Sequence, residues 1–484
     1  MPCRAVPAGM FYAADVQRLS GLDASFLYLE TSQQLLHVCA LLTLDTSTVP
    51  DGYSFERFQT QLAERVRSAP EFRRKLHDPA LNVGHPMWVE DTEFTLDHHV
   101  HRVDVSDHGG REDLGRLCAD LAARPMDRHR PLWQLYVIEG MADGSVSVLV
   151  KMHHSSVDGV SGANLLAHLA SPEPDVSPPE SVTPGEDNEA APGLLTMLRA
   201  DAATLVRRPG ELARLAPGLA SMVPKWLSRS LNRKGMPVPF TAPRTSLNGT
   251  ISGDRSVAYT QLELDDIKAV KNAYGVTVND VVLAVCAGAL RRLLAAREEL
   301  PDDPLVATVP VSVHDRSTRV AGSNKVSALF ALLPTHLADA TARLHAIAEN
   351  SRLAKEHHYA IDADMLQDWA QFAAPAVFGL AVRAYSTLRL AEKHRVVHNL
   401  LVSNVPGPPM PLYLLGARIT GMYPLGPVLH GAGLNITVMS HGGKVSVGII
   451  AARDILPNPW LLADFFPDAL AELFSPESRG TVST

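Results

Sequence analysis

The sequence predicts an α/β protein built from two halves, and two observations lead to this fold class. Patterns typical of helices and strands occur on both sides of a stretch, Ser171 to Pro192, that is nearly empty of large apolar residues. That stretch is rich in Pro, Ser and Glu, so it cannot bury a core and is expected to be a linker. With 484 residues the chain is long enough for two or three domains, each with a substantial core.

The first half is predicted to contain a helix, a strand and a second helix. The helix is expected over Phe55 to Ser68, and the strand over Val146 to His153. Val160 to Leu169 is predicted to be the helix that follows this strand.

In the second half the mixed pattern resumes near Ser246. Val278 to Leu294 has apolar or small residues at the period of a helix. Asn435 to Ile450 is predicted to form two strands around a turn at the adjacent glycines 442 and 443. Two-domain enzymes often place their site at the junction of the domains, so we expect the site there.

Between the halves, the stretch from Gly193 to Gly235 has the pattern of helices interrupted by prolines. It holds eight basic and two acidic side chains, a local charge of +6 in a chain of net charge −8. One interpretation is a set of amphipathic helices lying on an anionic membrane surface. The other is ordinary packing helices with a solvated basic face.

The predicted domain organisation has four parts. These are a first subdomain over 1–170, the linker and basic helices over 171–245, a second subdomain over 246–474, and a disordered tail over 475–484.

Composition and charge exclude several classes of protein. A net charge of −8 argues against nucleic-acid binding, which needs a basic surface. The four cysteines are scattered without metal-like spacing, which indicates a reducing compartment and neither a disulfide framework nor a zinc site. The N-terminal residues lack the continuous apolar stretch of a signal peptide, and no run of about 18 apolar residues predicts a membrane-spanning helix. We expect a cytoplasmic protein, either soluble or peripheral at the inner membrane face or on lipid droplets.

The segment from His153 to Gly159, of sequence HHSSVDG, is the strongest candidate for chemistry. Side chains alternate between the two faces of a strand. If the strand geometry persists to its end, the imidazoles of His153 and His154 point apart, and one can face a cavity while the other is held in the scaffold. Asp158 could cap the following helix or pair with an arginine, and Gly159 supplies the backbone freedom of a tight turn.

A neutral imidazole near pH 7 can take a proton from an alcohol and later return it to a thiolate. The chain has no Gly-x-Ser-x-Gly segment, so a covalent serine mechanism lacks its usual support. A bare histidine pair at a strand end is otherwise more often a capping and packing feature.

The segment resembles the HHxxxDG motif of the CoA-dependent acyltransferase superfamily. Most of the chain, to about Ile455, resembles the bacterial wax ester synthase/diacylglycerol acyltransferase family of the mycobacterial triacylglycerol synthase type. Besides HHSSVDG, the segments that carry the resemblance are Leu22–Leu27, Pro131–Trp133, Thr277–Ala284, Val309–Val313, Ser403–Pro408 and Tyr423–Pro427.

This resemblance implies two chloramphenicol-acetyltransferase-like subdomains with an active-site tunnel between them. Acyl-CoA would enter as a cosubstrate from one side and the acceptor alcohol from the other, with no bound cofactor or metal. His154 would be the general base, supported by the structural residue His153. Asp158 would fix the loop by an ion pair, and Gly159 would form its turn. The implied substrate-binding residues are Asn279, Ser403 and Asn404.

The chain departs from the family pattern at one position. The family usually has an arginine soon after Pro-Val-Ser, whereas here His314 follows Val313. If that arginine supports the site, Arg316 or Arg319 must replace it.

Several other patterns imitate functional sites. The histidine-rich segment from Leu96 to His101 is better explained as an exposed edge strand than as a zinc site. His357 and His358 are expected on the surface of a helix, and Cys286 in the apolar core. Gly-Pro pairs near residues 407 and 426 indicate turns, since no phosphate-binding GxxxxGK pattern occurs.

The leading hypothesis is transfer of a long-chain acyl group from acyl-CoA to diacylglycerol, forming triacylglycerol and CoA. A wax ester synthase with a long-chain alcohol acceptor uses the same chemistry. Acyl transfer from a carrier protein is a third possibility. A different class is a lipid-binding or droplet-coating protein with a weak catalytic site.

Overall fold

The structure is a computed structural model. It describes residues 18–78, 85–105, 109–156, 169–174, 240–312, 326–358 and 375–474. The helices of these ranges are α1 (Gly21–Leu29), α2 (Phe55–Ser68), α3 (Arg111–Ala122), α4 (Leu264–Tyr274), α5 (Val278–Ala296), α6 (Ala340–His358), α7 (Pro375–Thr387), α8 (Leu390–Lys393) and α9 (Trp460–Ala471).

The strands of the first half are β1 (His37–Asp45), β2 (Arg74–His77), β3 (Met87–Glu90), β4 (Val100–Asp104), β5 (Trp133–Glu139), β6 (Val146–His153) and β7 (Ala170–Ser171). Those of the second half are β8 (Arg255–Glu263), β9 (Leu305–Ser312), β10 (Val326–Leu333), β11 (Leu400–Pro406), β12 (Tyr413–Leu414), β13 (Ala417–Leu425), β14 (Leu434–His441) and β15 (Lys444–Ala452).

The strands form two large sheets and a β2–β3 pair. The first sheet has the order β4-β5-β6-β1-β13-β12-β7, and the second has the order β10-β9-β11-β14-β15-β8. Strand β1 lies in the middle of the first sheet, antiparallel to β6 on one side and to β13 on the other. Since β12 and β13 come from the second half of the chain, the first sheet contains strands from both halves.

A shared core joins the two sheets. Leu114 and Cys118 of α3 belong to the same buried apolar cluster as Val257 and Ala258 of β8. The sheets also meet directly at Gly448 of β15, where a Cβ would lie 1.9 Å from the carbonyl oxygen of Pro424. Only glycine allows this approach of the two backbones.

The structure confirms the predicted elements that it describes. Helix α2 and strand β6 have the predicted bounds, and α5 covers the helix predicted from Val278. Strands β14 and β15 are joined at Gly442 and Gly443, both with positive φ. Residues 157–168, and with them most of the predicted helix after β6, lie outside the described residues, as do 175–239 and the tail from 475. The four-part domain division remains a prediction.

The histidine-rich segment before β4 differs from the expectation. Strand β4 is at the edge of its sheet, but a single 3₁₀ turn, Leu96–His98, precedes it. His99 is buried, where an exposed edge was expected, and its Nδ1 lies 2.8 Å from the Trp133 carbonyl oxygen. The ring stacks on Phe94 and on Trp133, so apolar burial determines its position. No group of three or more potential metal ligands was found in the described ranges.

Within the described residues, no single helix has the length and apolar character needed to cross a membrane. The α4–α5 pair satisfies those criteria together, with a bend of 105° between the helices, and most of α5 is buried in the protein core.

Candidate active site

Strand β6 ends at the histidine pair. The backbone N–H of His153 donates to the Leu132 carbonyl at 3.0 Å, and that of His154 donates to the Leu36 carbonyl at 2.9 Å. His154 begins a single 3₁₀ turn that continues to Ser156. The strand ends at His153 as predicted, so strand alternation does not extend to His154. The two rings nevertheless have separate surroundings, since His153 lies beside Glu30 and His154 against Phe26.

The ring of His153 is almost completely buried, with a relative exposure of 1%. Its Nδ1 accepts a hydrogen bond from the Ser155 N–H at 3.1 Å, and the Ser155 hydroxyl lies 2.7 Å from the same atom. Its Nε2 lies 3.4 Å from Oε2 of Glu30. A backbone N–H can only donate, so Nδ1 is the acceptor and Nε2 carries the hydrogen in the neutral ring.

The ring of His154 meets an aromatic side chain. It stacks on Phe26 of α1 with 3.9 Å between the ring centroids and 21° between the planes. Its Nδ1 is buried and makes no hydrogen bond to any described residue. Burial lowers the pKa of His154 to about 4, and the neighbouring His153 adds to this effect. The imidazole is therefore neutral at pH 7, the form that can accept a proton.

Behind the pair lies a group that the sequence interpretation missed. The carboxylate of Glu30 contacts His153, lies 3.3 Å from Nε2 of His37, and is ion-paired with Arg128. Burial opposes its ionisation, but its contacts with His153, His37 and Arg128 outweigh burial and hold the Glu30 pKa well below its usual range. The available sequence signal was the segment that begins α1, which was used only to establish the resemblance.

Burial raises the pKa of an acid such as Glu30 but lowers that of a histidine such as His37. It lowers the pKa of His37 to about 4, although contact with Glu30 acts against the shift. His37 is therefore neutral at pH 7, and its ring lies 5.8 Å from that of His153, the residue opposite it on β6.

From the second half, α5 and β11 bring two predicted residues together. Asn404 donates from Nδ2 to Oδ1 of Asn279 at 3.2 Å. Asn279 lies in the first turn of α5, which Thr277 and Asp280 cap reciprocally, each side chain accepting from the other residue's backbone N–H. Ser403 is adjacent on β11, a strand between β9 and β14.

Some predicted residues fall outside the described ranges. These are Asp158, Gly159, His314, Arg316 and Arg319, so their assigned roles remain predictions. His357 and His358 are in α6 as expected, although their side chains are not described. The prediction for Cys286 is confirmed, since it is buried in the core and burial raises the pKa of its thiol to about 12.

Comparison with known proteins gives one consistent result. Residues 19–282 match the wax ester synthase/diacylglycerol acyltransferase catalytic domain, and residues 322–474 match the C-terminal domain of the same family. A Mycobacterium tuberculosis protein, provisionally named as a diacylglycerol O-acyltransferase, is 46% identical over 95% of this chain and 90% of its own length. A second protein of that organism, also provisionally named so, is 36% identical over 94% of this chain and 99% of its own.

Solved structures agree with this result. The wax ester synthase/diacylglycerol acyltransferase from Marinobacter aquaeolei VT8 superposes with a TM-score of 0.66 and 31% identity, covering 94% of this chain and 98% of that one. The first condensation domain of the calcium-dependent antibiotic synthetase has a TM-score of 0.52 at 15% identity, covering 96% and 97% of the two chains, which shows a shared fold. The predicted α/β class with two acyltransferase-like units is confirmed. The chain belongs to the wax ester synthase/diacylglycerol acyltransferase family.

Proposed function

We propose that this chain transfers a long-chain acyl group from acyl-CoA to the free hydroxyl of diacylglycerol, releasing triacylglycerol and CoA. The observation that carries the proposal is His154 at the end of β6: a neutral imidazole stacked on Phe26, whose buried Nδ1 has no hydrogen-bond partner among the described residues. Family membership supplies the reaction class, and the names of the mycobacterial relatives support the acceptor.

In the proposed mechanism His154 takes the proton of the acceptor hydroxyl as its oxygen attacks the thioester carbonyl. A C–O bond forms and a tetrahedral oxyanion results. When the oxyanion collapses, the C–S bond breaks and His154 returns the proton to the CoA thiolate. No acyl-enzyme is formed and no cofactor is bound, so acyl-CoA acts only as a cosubstrate.

The oxyanion needs hydrogen-bond donors that are already in place. We assign this role to the amide side chains of Asn279 and Asn404, which are linked to each other by their hydrogen bond, together with Ser403. His153 supports the base, and Asp158 with Gly159 is proposed to fix the loop that follows. Arg316 or Arg319 is proposed to replace the family arginine.

A wax ester synthase activity is the second candidate, and one observation favours it. The Marinobacter protein, which covers 94% of this chain, is named for both activities. Both acceptors present one hydroxyl on an apolar body, so the same base serves either. Competition between hexadecanol and diacylglycerol for one acyl-CoA, followed by product ratio, measures the preference.

The acceptor and product are lipids, so we place the protein in the cytoplasm, peripheral at the inner membrane face or on lipid droplets. The proposed contact is the basic stretch 193–235, which would attract anionic headgroups. Vesicle flotation should then weaken when its arginines and lysines are replaced by glutamine.

The deciding experiment is incubation of the purified protein with labelled palmitoyl-CoA and diacylglycerol. We expect labelled triacylglycerol from the wild type and a kcat lower by about 10³-fold in His154→Ala. Full activity in this variant would refute the mechanism. Turnover that requires an acylated carrier would favour condensation-type chemistry, and lipid binding without any turnover would favour a lipid-coating protein.

A further inference from the structure

Glu30 occupies an unfavourable position for an acid. It is the C-terminal cap of α1, where the helix dipole disfavours negative charge, and its side chain is only 11% exposed. A buried carboxylate is costly unless it is paired. The reason for an acid at this position must therefore come from its partners.

Those partners include His153 and the residue opposite it on β1, His37. Oε1 lies 3.3 Å from Nε2 of His37, and Oε2 lies 3.4 Å from Nε2 of His153. Arg128 contacts Oε2 and neutralises the charge of the Glu30 carboxylate. Its guanidinium also donates to the Leu27 carbonyl at 3.0 Å, so Arg128 is attached to α1. A carboxylate facing Nε2 and the Ser155 N–H facing Nδ1 select the same tautomer of His153.

Two further connections run from Glu30 to His154. Oε1 of Glu30 accepts from the Leu36 N–H at 3.4 Å, and the Leu36 carbonyl accepts from the His154 N–H at 2.9 Å. One helical turn before Glu30, Phe26 stacks on the His154 ring. Glu30 is therefore linked to the His154 peptide through Leu36, and to the ring of His154 through the helix that it caps.

The connection from α1 to β1 is also fixed from the second half of the chain. Arg255 donates to the Gln33 carbonyl at 2.7 Å, and Ser386 donates to Oε1 of Gln33 at 2.6 Å. The His430 N–H donates to Oε1 of Gln34 at 2.9 Å. Glu30 thus stands on a segment that is anchored to both halves, as a precise positioning group requires.

We propose that Glu30 is a positioning residue for the reaction: its carboxylate, neutralised by Arg128, fixes His153 and the Leu36 peptide and thereby holds His154 in place. This inference rests on the proposed function, because it assigns His154 as the base. Glu30 acts through the histidines and does not touch the reacting atoms.

The test is Glu30→Gln, which keeps the shape and removes the charge. We expect kcat per mole of folded enzyme to fall by about 10- to 100-fold, since a misplaced base costs rate. The KM for acyl-CoA should change less than twofold. Glu139→Gln is the matched control: its side chain is 14% exposed, it pairs with Arg102, and it lies at the end of β5 remote from the histidine pair. Its kcat should stay within twofold of wild type even if its Tm falls.

A double variant shows whether Glu30 affects the rate through His154 or independently of it. In a His154→Ala background the added Glu30→Gln change should leave the residual rate unaltered, because its effect passes through His154. Glu30→Asp, which keeps the charge, should retain more kcat than Glu30→Gln and serves as the folded variant should Glu30→Gln not fold.

The inference is overturned if Glu30→Gln behaves like the Glu139 control, or if Glu30→Asp and Glu30→Gln lose only Tm. It is also overturned if the double variant loses a further tenfold. Undiminished activity of His154→Ala alone would instead overturn the proposed function, so the two failures are distinguishable.

Discussion

His153 and His154 are neighbours in the chain, but their side chains lie in opposite environments. The ring of His153 faces charged and polar groups, with Glu30 on one nitrogen and Ser155 on the other. The ring of His154 lies flat against Phe26, and its Nδ1 has no partner among the described residues. The contrast is therefore between a ring positioned by a carboxylate and a serine, with Nδ1 hydrogen-bonded and Nε2 at 3.4 Å from Glu30, and a ring positioned by stacking. The stacked ring is neutral at pH 7 and can accept a proton.

The same substitution at each histidine tests whether the two side chains have different roles. We expect His154→Gln to lower kcat by about 10³-fold and Tm only slightly, because it removes the base together with the ring that stacks on Phe26. His153→Gln should lower Tm and reduce kcat by a smaller factor, since it breaks the contacts with Glu30 and Ser155. Steady-state kinetics and thermal melts of both variants test this. Equal kcat losses would show that the two rings are not functionally distinct.

The protonation state of His154 gives a second test. Burial lowers its pKa to about 4, so the proton-accepting form persists far below the usual histidine range. We expect kcat/KM to be flat from pH 7 to about 5 and to fall tenfold per pH unit only below about 4. An acid limb near 6.5 would place the working base in a solvated environment. Return to pH 7 after each acid incubation distinguishes titration from unfolding.

The sequence could predict local features and could not predict long-range ones. The bounds of α2 and β6 follow from short-range apolar patterns. The 3₁₀ turn that begins at His154 does not. Glu30 could not be found in this way, because its pairing with His153 depends on α1 packing across the end of β6. The insertion of β13 beside β1 is likewise a pairing between distant segments, which no local pattern encodes.

His99 also shows that the sequence could not predict long-range packing. Three histidines close together suggested an exposed edge, yet tertiary packing placed one of them between Phe94 and Trp133. Only the edge position of β4 was predictable. At the candidate site, the family resemblance indicated Asn279 and Asn404, whereas their hydrogen bond required the fold.

Phe26→Leu tests the stacking contact that positions His154. Leucine keeps much of the apolar volume but loses the stacked ring, an interaction of about 1 kcal/mol. We expect kcat to fall by roughly fivefold to tenfold with a smaller change in KM, because His154 gains freedom. Phe94→Leu is the control, because Phe94 also stacks on a histidine, His99, with 5.1 Å between the ring centroids and 23° between the planes, and not on His154. Equal effects of the two substitutions on kcat would argue against a specific role for Phe26.

The smallest effect on rate is expected at Lys151, which shares β6 with His153 and forms no ion pair with a carboxylate of the described residues. Its side chain is fully buried, and its ammonium donates to the Leu121 carbonyl at 3.0 Å and to the Arg124 carbonyl. Burial lowers the pKa of Lys151 to about 8, and the charge of Arg124 acts in the same direction. The ammonium is thus hydrogen-bonded to two backbone carbonyls, whereas Glu30, whose charge also favours the protonated form of Lys151, is ion-paired with Arg128.

This contrast predicts a specific pH dependence of stability. Below pH 8 both folded and unfolded chains carry the proton, and the folded chain bears the full cost of the buried charge. Between pH 8 and about 10.5 the folded chain loses the proton first, so wild-type stability should rise relative to Lys151→Met by about 3 kcal/mol. Denaturant unfolding of both proteins across this range measures the difference, in which other titrating groups cancel. Parallel curves of stability against pH would show that the Lys151 amine is already solvated in the folded chain. In either case the kcat of Lys151→Met at pH 7 should be within twofold of wild type.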